Sequence, residues 1–140
     1  PIYIHACHCT LCRKLTGSAF VINILIESWN FNVEKGKLID FKATSGSGKK
    51  HLISRCFFCG DPIVSFYGDT KNLAVIKGGT INDTKYLKPN AHVFLESKLD
   101  WVIIDKTTLK FKKFYDFKKV LNERNYKRIL KLKSLKNKRN

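Results

Sequence analysis

The sequence lacks methionine, and it has few acidic residues and no long apolar run. Because the chain starts at Pro1 without a methionine, we expect it to be a fragment. No stretch approaches the roughly 18 apolar residues that a membrane-spanning helix needs. The first residues also lack the charged and apolar regions of a secretory signal peptide. These absences favour a protein outside the membrane, in the cytoplasm or alternatively the nucleus.

Acidic residues are scarce, with 11 Asp and Glu against 27 Lys and Arg, for a formal charge of +16. The excess lies at the end, because residues 106–140 hold 14 basic and 2 acidic side chains. Such a segment could attract nucleic acid or another acidic surface. Lys heavily outnumbers Arg there, however, and Arg dominates specific recognition of phosphates and bases. We therefore favour a solvated basic end over a nucleic-acid partner.

At 140 residues and 44% hydrophobic content, the chain is long enough for one domain with a buried core. Short β-prone segments at regular spacing predict a mainly β, antiparallel sandwich or barrel-like sheet. The predicted strands are 1–6, 19–27, 31–33, 38–43, 52–55, 62–67, 73–77, 93–96 and 101–104. From about Phe117 an imperfect helical period predicts one or two helices and a frayed basic end from Ser134. We divide the chain into a β domain, 1–116, and a basic helical extension, 117–140.

All five cysteines lie in two tight clusters, Cys7, Cys9 and Cys12 near the start and Cys56 and Cys59 later. An odd, clustered set without an export signal favours metal-bound thiolates over disulfides, with redox or unpaired thiols as the alternative. In an extended strand Cys7 and Cys9 face the same side, and the turn at 9–12 brings Cys12 back to them. Three sulfurs can then converge on one ion while His8 faces away. The alternative is that His8 replaces one cysteine as a ligand.

Zn²⁺ is the predicted metal, because thiolates are soft ligands and no redox role is needed. Three protein ligands would leave one position open, as in catalytic zinc sites. Three thiolates give such a site a formal charge of −1, which suits it to a fourth sulfur better than to making hydroxide. Coordination would deprotonate a bound thiol. The triplet therefore predicts chemistry on a thiol rather than hydrolysis.

Cys56 and Cys59 resemble half of a zinc knuckle, and two thiolates cannot close a tetrahedron. They could join the triplet on one ion, they could require two ligands that this chain lacks, or they could form a redox pair. No βαβ pattern surrounds the pair, which disfavours the redox alternative.

Several motifs together resemble the glutathione-dependent formaldehyde-activating enzyme family, which includes centromere protein V. The resemblance covers nearly the whole chain. The first motif runs from Cys7 to Arg13 and continues at Thr16-Gly17-Ser18-Ala19-Phe20. The others are Arg55-Cys56, Cys59-Gly60, Pro62, Lys77-Gly78-Gly79-Thr80, Pro89, Ala91-His92-Val93-Phe94, Ser97-Lys98, Trp101 and Tyr115-Asp116.

The resemblance implies an antiparallel zinc-ribbon-like β domain of the β-tent kind, with catalytic zinc on Cys7, Cys9 and Cys12. It implies a structural zinc on Cys56 and Cys59, whose other two ligands come from an upstream Cys-x-Cys pair that this sequence does not contain. We therefore expect an N-terminally truncated chain with an incomplete second zinc site.

The activity implied is that of a carbon–sulfur lyase acting on glutathione or a related thiol adduct. The two carboxylates of glutathione require nearby cations, and Arg13 is the first candidate because it abuts the triplet. Ser18 and Thr16 are candidate hydrogen-bond donors to substrate, with turn or cap roles as the alternative. His92 is either a structural histidine or a proton carrier. The remaining candidate cations are Lys14, Lys49, Lys50 and Arg55. The alternative function is a non-catalytic zinc-binding module with a basic tail for nucleic acid or the cytoskeleton.

Overall fold

Eight β-strands form one sheet in the computed structural model, which describes residues 1–45, 47–85 and 87–135. The strands are β1 (Tyr3–Cys7), β2 (Val21–Glu27), β3 (Leu38–Thr44), β4 (Lys50–Cys56), β5 (Pro62–Tyr67), β6 (Leu73–Lys77), β7 (Ala91–Val93) and β8 (Leu109–Lys110). Three helices accompany them, α1 (Thr10–Thr16), α2 (Phe117–Val120) and α3 (Glu123–Ser134). The predicted mainly β fold is confirmed.

The sheet is mixed, with the strand order β3-β4-β5-β6-β2-β1-β7-β8. The prediction of a purely antiparallel sheet is wrong at one side, where β1 pairs with β7 and β7 with β8 in parallel. Parallel neighbours need a crossover instead of a tight hairpin. The chain passes through β2 to β6 between β1 and β7, and residues 94–108 connect β7 to β8. Hairpin-type patterns in the sequence give no sign of either connection.

Two predicted strands, 31–33 and 101–104, are not strands in the structure. The predicted strand 93–96 is also wrong, because β7 ends at Val93 and a 3-10 turn covers Leu95–Ser97. Phe94 between them has a φ of 57°, a left-handed conformation that regular strands do not contain. The short strand β8 was not predicted.

The C-terminal helices pack against the sheet. Ile129 and Leu132 of α3 are 2% and 4% exposed and belong to the same core as residues of β1 and β2. Arg128 binds the Glu27 carboxylate in β2 through two hydrogen bonds, at 2.6 and 2.7 Å. The boundary between 116 and 117 stays a prediction, but α3 shares the core of the β domain. Most of the predicted frayed end, residues 136–140, lies outside the described residues.

None of the helices in the described ranges has the length and apolar character needed to cross a membrane.

Candidate metal centre

The three N-terminal cysteines converge where β1 passes into α1. Their sulfur atoms all lie within 4.8 Å of one another. Cys7 ends β1, Cys9 is the N-cap of α1, and Cys12 lies in the first turns of that helix. The Cys12 N–H donates to the Cys9 sulfur at 3.4 Å. The predicted turn at 9–12 is therefore the start of a helix, which ends at Gly17 in a left-handed conformation.

This donor set fits a zinc ion. Sulfurs on a tetrahedral zinc are about 3.8 Å apart, given a Zn–S distance of about 2.3 Å. The observed sulfurs are close enough to reach this spacing by side-chain rotation. Cys7 and Cys12 are buried and Cys9 is partly buried, so one ion would bind at the edge of the core. No other group of three possible ligands occurs in residues 1–45, 47–85 and 87–135.

Hydrogen bonds among the thiols separate their pKa values. Those from Cys12 and Cys7 strongly lower the pKa of Cys9. Hydrogen bonding to Cys12 and Cys9, together with burial, raises the pKa of Cys7 far above its usual range. The cluster by itself thus favours one thiolate, on Cys9. Positive charge is required to hold all three as thiolates.

A cavity of about 740 Å³ opens beside the triplet, and all three cysteines line it. Lys49 from the loop before β4, Lys50 from the start of β4 and Lys133 from α3 contribute its cations. Lys50 forms an ion pair with Asp69 at 2.6 Å. The apolar part of the wall consists of Leu11, Leu25, Leu73, Val75, Phe94, Phe114, Phe117, Ile129 and Leu132.

Arg13 and Ser18 do not line this cavity. The Ser18 hydroxyl donates to the Phe20 carbonyl at 2.7 Å and lies 2.8 Å from the Thr16 hydroxyl, which is a turn arrangement. Arg55 is likewise occupied elsewhere, since its guanidinium donates to the Gly60 carbonyl at 2.8 Å. Of the cations considered from the sequence, only Lys49 and Lys50 lie on the wall. The substrate roles of Arg13 and Ser18 stay predictions.

His8 points away from the triplet, as predicted, and pairs with His92. His8 is fully buried, and its Nε2 lies 2.9 Å from Nδ1 of His92. Burial and the His92 ring lower the pKa of His8 to about 4. His92 is not on the cavity wall, so the structure gives it a side-chain partner but no contact with the cavity.

Cys56 and Cys59 flank the tight turn between β4 and β5. The Cys59 thiol donates to Asp61 at 3.4 Å and is exposed. Neither cysteine belongs to the cluster of three, so the structure does not bring the pair to the same ion as the triplet. Their role as a structural zinc half-site stays a prediction.

A row of buried polar residues beside the triplet was not predicted from the sequence. His5, Asn23 and Lys77 are neighbours across β1, β2 and β6, and each is less than 5% exposed. A signal existed, because Asn23 and Lys77 are polar residues in strands that are otherwise apolar. A buried lysine at the end of a strand cannot, however, be told from an exposed one by sequence pattern alone.

This small mixed β domain has three convergent thiols beside a cavity, a cluster that could hold a metal ion. The family model described as glutathione-dependent formaldehyde-activating enzyme matches residues 1–97. The chain therefore belongs to this family. A comparison with curated protein sequences finds no match.

Proposed function

We propose that the protein is a zinc-dependent carbon–sulfur lyase that makes and breaks the adduct between a thiol such as glutathione and formaldehyde. The observation that carries the proposal is that three cysteine sulfurs lie within 4.8 Å of one another on the wall of a cavity of about 740 Å³. Membership of the formaldehyde-activating family supports the substrate.

The chain's residues divide this work between metal binding and substrate binding. Cys7, Cys9 and Cys12 would hold the zinc. When bound, zinc would supply the positive charge that keeps a substrate thiol deprotonated near neutral pH. With three protein ligands, the ion would have room to bind that sulfur.

The lysines on the wall would bind the carboxylates of glutathione. Lys49 lies on the loop before β4 and Lys133 on α3. The apolar side chains of the wall would limit the access of water to the reacting atoms. Glutathione has a carboxylate at each end and an uncharged middle, and the wall offers groups that complement both.

The proposed reaction balances without a further reagent. In the addition direction the sulfur forms a bond to the formaldehyde carbon, and the carbonyl π bond breaks. The oxygen takes up one proton, the same number that the thiol loses. The lyase direction reverses each change. No oxidant or reductant is consumed.

Exchange NMR on glutathione and ¹³C-formaldehyde tests this proposal with the zinc-loaded protein. We expect faster exchange between free formaldehyde and the adduct with the wild type. Cys12→Ser should remove this acceleration together with the zinc of the triplet. The matched control is Thr10→Ser, which changes an exposed residue between Cys9 and Cys12 that offers no sulfur ligand and should keep the acceleration. A zinc-loaded wild type that does not accelerate the exchange would disprove the proposed reaction.

A further inference from the structure

A chain of buried hydrogen bonds runs across the sheet next to the three cysteines. The Lys77 ammonium donates to the Asn23 side-chain oxygen at 3.0 Å. The Asn23 amide nitrogen lies 3.3 Å from Nε2 of His5, and Nδ1 of His5 lies 2.9 Å from the Tyr115 hydroxyl. The strand register accounts for the alignment, since His5 is opposite Asn23 and Asn23 is opposite Lys77.

This row faces the metal centre. His5 precedes Cys7 by two residues in β1, so both side chains point to the same side of the sheet. His5 and Asn23 line the cavity together with the three cysteines. The Lys77 side chain lies one strand further along this row. Burial lowers the pKa of Lys77, and negative charge on Cys12, Cys7 and Cys9 opposes that shift.

Lys77 has no carboxylate partner in the part of the chain that the structure describes. Its residue is 3% exposed, and its hydrogen-bond acceptor, the Asn23 amide oxygen, is neutral. None of the ion pairs between described residues includes it. A buried ammonium without an anion is strongly unfavourable. The groups near it that become anionic in a metal-binding state are the cysteines.

We propose that Lys77 is a positioning residue whose buried ammonium is the counter-charge of the three-cysteine metal site, and that Asn23 holds it in place. Zn²⁺ with three thiolates has a formal charge of −1, and one ammonium brings the assembly to neutrality. This inference rests on the proposed metal site but not on the proposed reaction.

Zinc affinity, measured by competition with a chromophoric chelator, tests the role of Lys77 without any substrate. Lys77→Met keeps the aliphatic length and removes the charge. We expect it to weaken zinc binding by about 10–100-fold, the usual effect of losing a group that supports metal ligands. Lys77→Arg keeps the charge and should recover most of the affinity. Lys98→Met is the matched control, because the half-buried Lys98 ammonium also donates to neutral oxygens, the Leu99 and Val102 carbonyls, but lacks a place in this row.

Asn23→Asp provides a second variant that preserves shape. It places a carboxylate at hydrogen-bond distance from Lys77, so the fold gains an ion pair while the metal site loses its counter-charge. We expect zinc affinity to fall by a similar factor. The absorption spectrum of the Co²⁺ form should keep its tetrahedral thiolate bands in all variants, because the ligands are unchanged.

The outcomes separate this inference from the proposed function. A wild type that binds no zinc at the triplet would refute both. A wild type that binds zinc tightly, with equal affinity in Lys77→Met or in Asn23→Asp, would refute the counter-charge alone. Equal losses in Lys77→Met and Lys77→Arg together with an unaffected Asn23→Asp would assign Lys77 a packing role instead.

Discussion

The ion pair between Glu27 and Arg128 should be a principal attachment of helix α3 to the sheet. The Glu27 side chain is 10% exposed and that of Arg128 31% exposed, and two hydrogen bonds of 2.6 and 2.7 Å join them. Arg128 also donates to the Asn125 side chain at 2.9 Å. Arg128→Met would keep much of the aliphatic packing and leave the Glu27 carboxylate buried without its main partner.

The free-energy cost of removing Arg128 should lie between that of breaking a surface ion pair and that of breaking a fully buried ion pair. Breaking a buried pair by removing one partner costs about 3–5 kcal/mol, whereas exposed pairs contribute about 0–1 kcal/mol. Because Arg128 is partly exposed, water can reach the carboxylate after the substitution. We expect Arg128→Met to lower the free energy of unfolding by about 2–3 kcal/mol.

A double-mutant cycle of Glu27→Gln, Arg128→Met and the double variant, measured by urea denaturation at pH 7, isolates the pair. We expect a coupling energy of about 1.5–3 kcal/mol, as for charged hydrogen bonds. Hydrogen bonding to Arg128 holds the pKa of Glu27 below its ordinary value of 4.5. The folded state therefore binds fewer protons than the unfolded state, and the coupling should be full above pH 4.5 and decline as the pH falls through the folded value. A coupling below about 0.5 kcal/mol at pH 7 would show that the ion pair does not anchor α3.

Three further predictions concern the backbone, a buried histidine and the C-terminal segment. Gly78→Ala should destabilise the fold by about 1–3 kcal/mol, because a Cβ there would lie 2.8 Å from Leu87 and 3.1 Å from Ile22. The control is Gly79→Ala, whose added Cβ meets nothing within 4 Å and which should be nearly neutral in thermal unfolding. His51 is 1% exposed and stacks on Tyr67, and burial lowers its pKa to about 4. The free energy of unfolding should therefore fall as the pH drops from 6.5 towards 4, and it should fall less steeply in His51→Phe. Equal pH dependence in the wild type and this variant would contradict the prediction. Deleting residues 117–140 should abolish cooperative unfolding, because it removes the buried Ile129 and Leu132. The control, Arg124→Glu with Lys131→Glu on the exposed face of α3, should leave the urea midpoint unchanged. A stably folded deletion variant would show that the β domain does not need α3.

Local sequence patterns predicted those parts of the fold that depend on residues close together in the sequence. Strands β5 and β6 have the predicted bounds, Pro62–Tyr67 and Leu73–Lys77, because each is a short β-prone run between turn residues. The convergence of Cys7, Cys9 and Cys12 was also predictable, since one strand end and one turn bring all three together. The turn itself was misjudged, because Cys9 caps a helix through its sulfur, a role that oxygen side chains usually have.

The features that could not be predicted depend on contacts between segments that are far apart in the sequence. The position of Arg13 next to the triplet in sequence favoured it as the substrate cation, but α1 turns it away from the cavity wall. Lys49 and Lys133, far from the cysteines in sequence, lie on that wall because the sheet and α3 fold back over it.

Long-range strand pairing also forms the buried row of His5, Asn23 and Lys77. Asn23 interrupts an apolar strand and Lys77 ends another, and each alone looks like an ordinary imperfection of a strand. Only the register of β1, β2 and β6 places them in line with His5 on the side of the cysteines. Polar residues that are costly to bury separately become compatible with the core when they share hydrogen bonds and face an anionic site. In the proposed metal site the three-cysteine motif would specify the ligands, while the sheet would supply the charge that these ligands require.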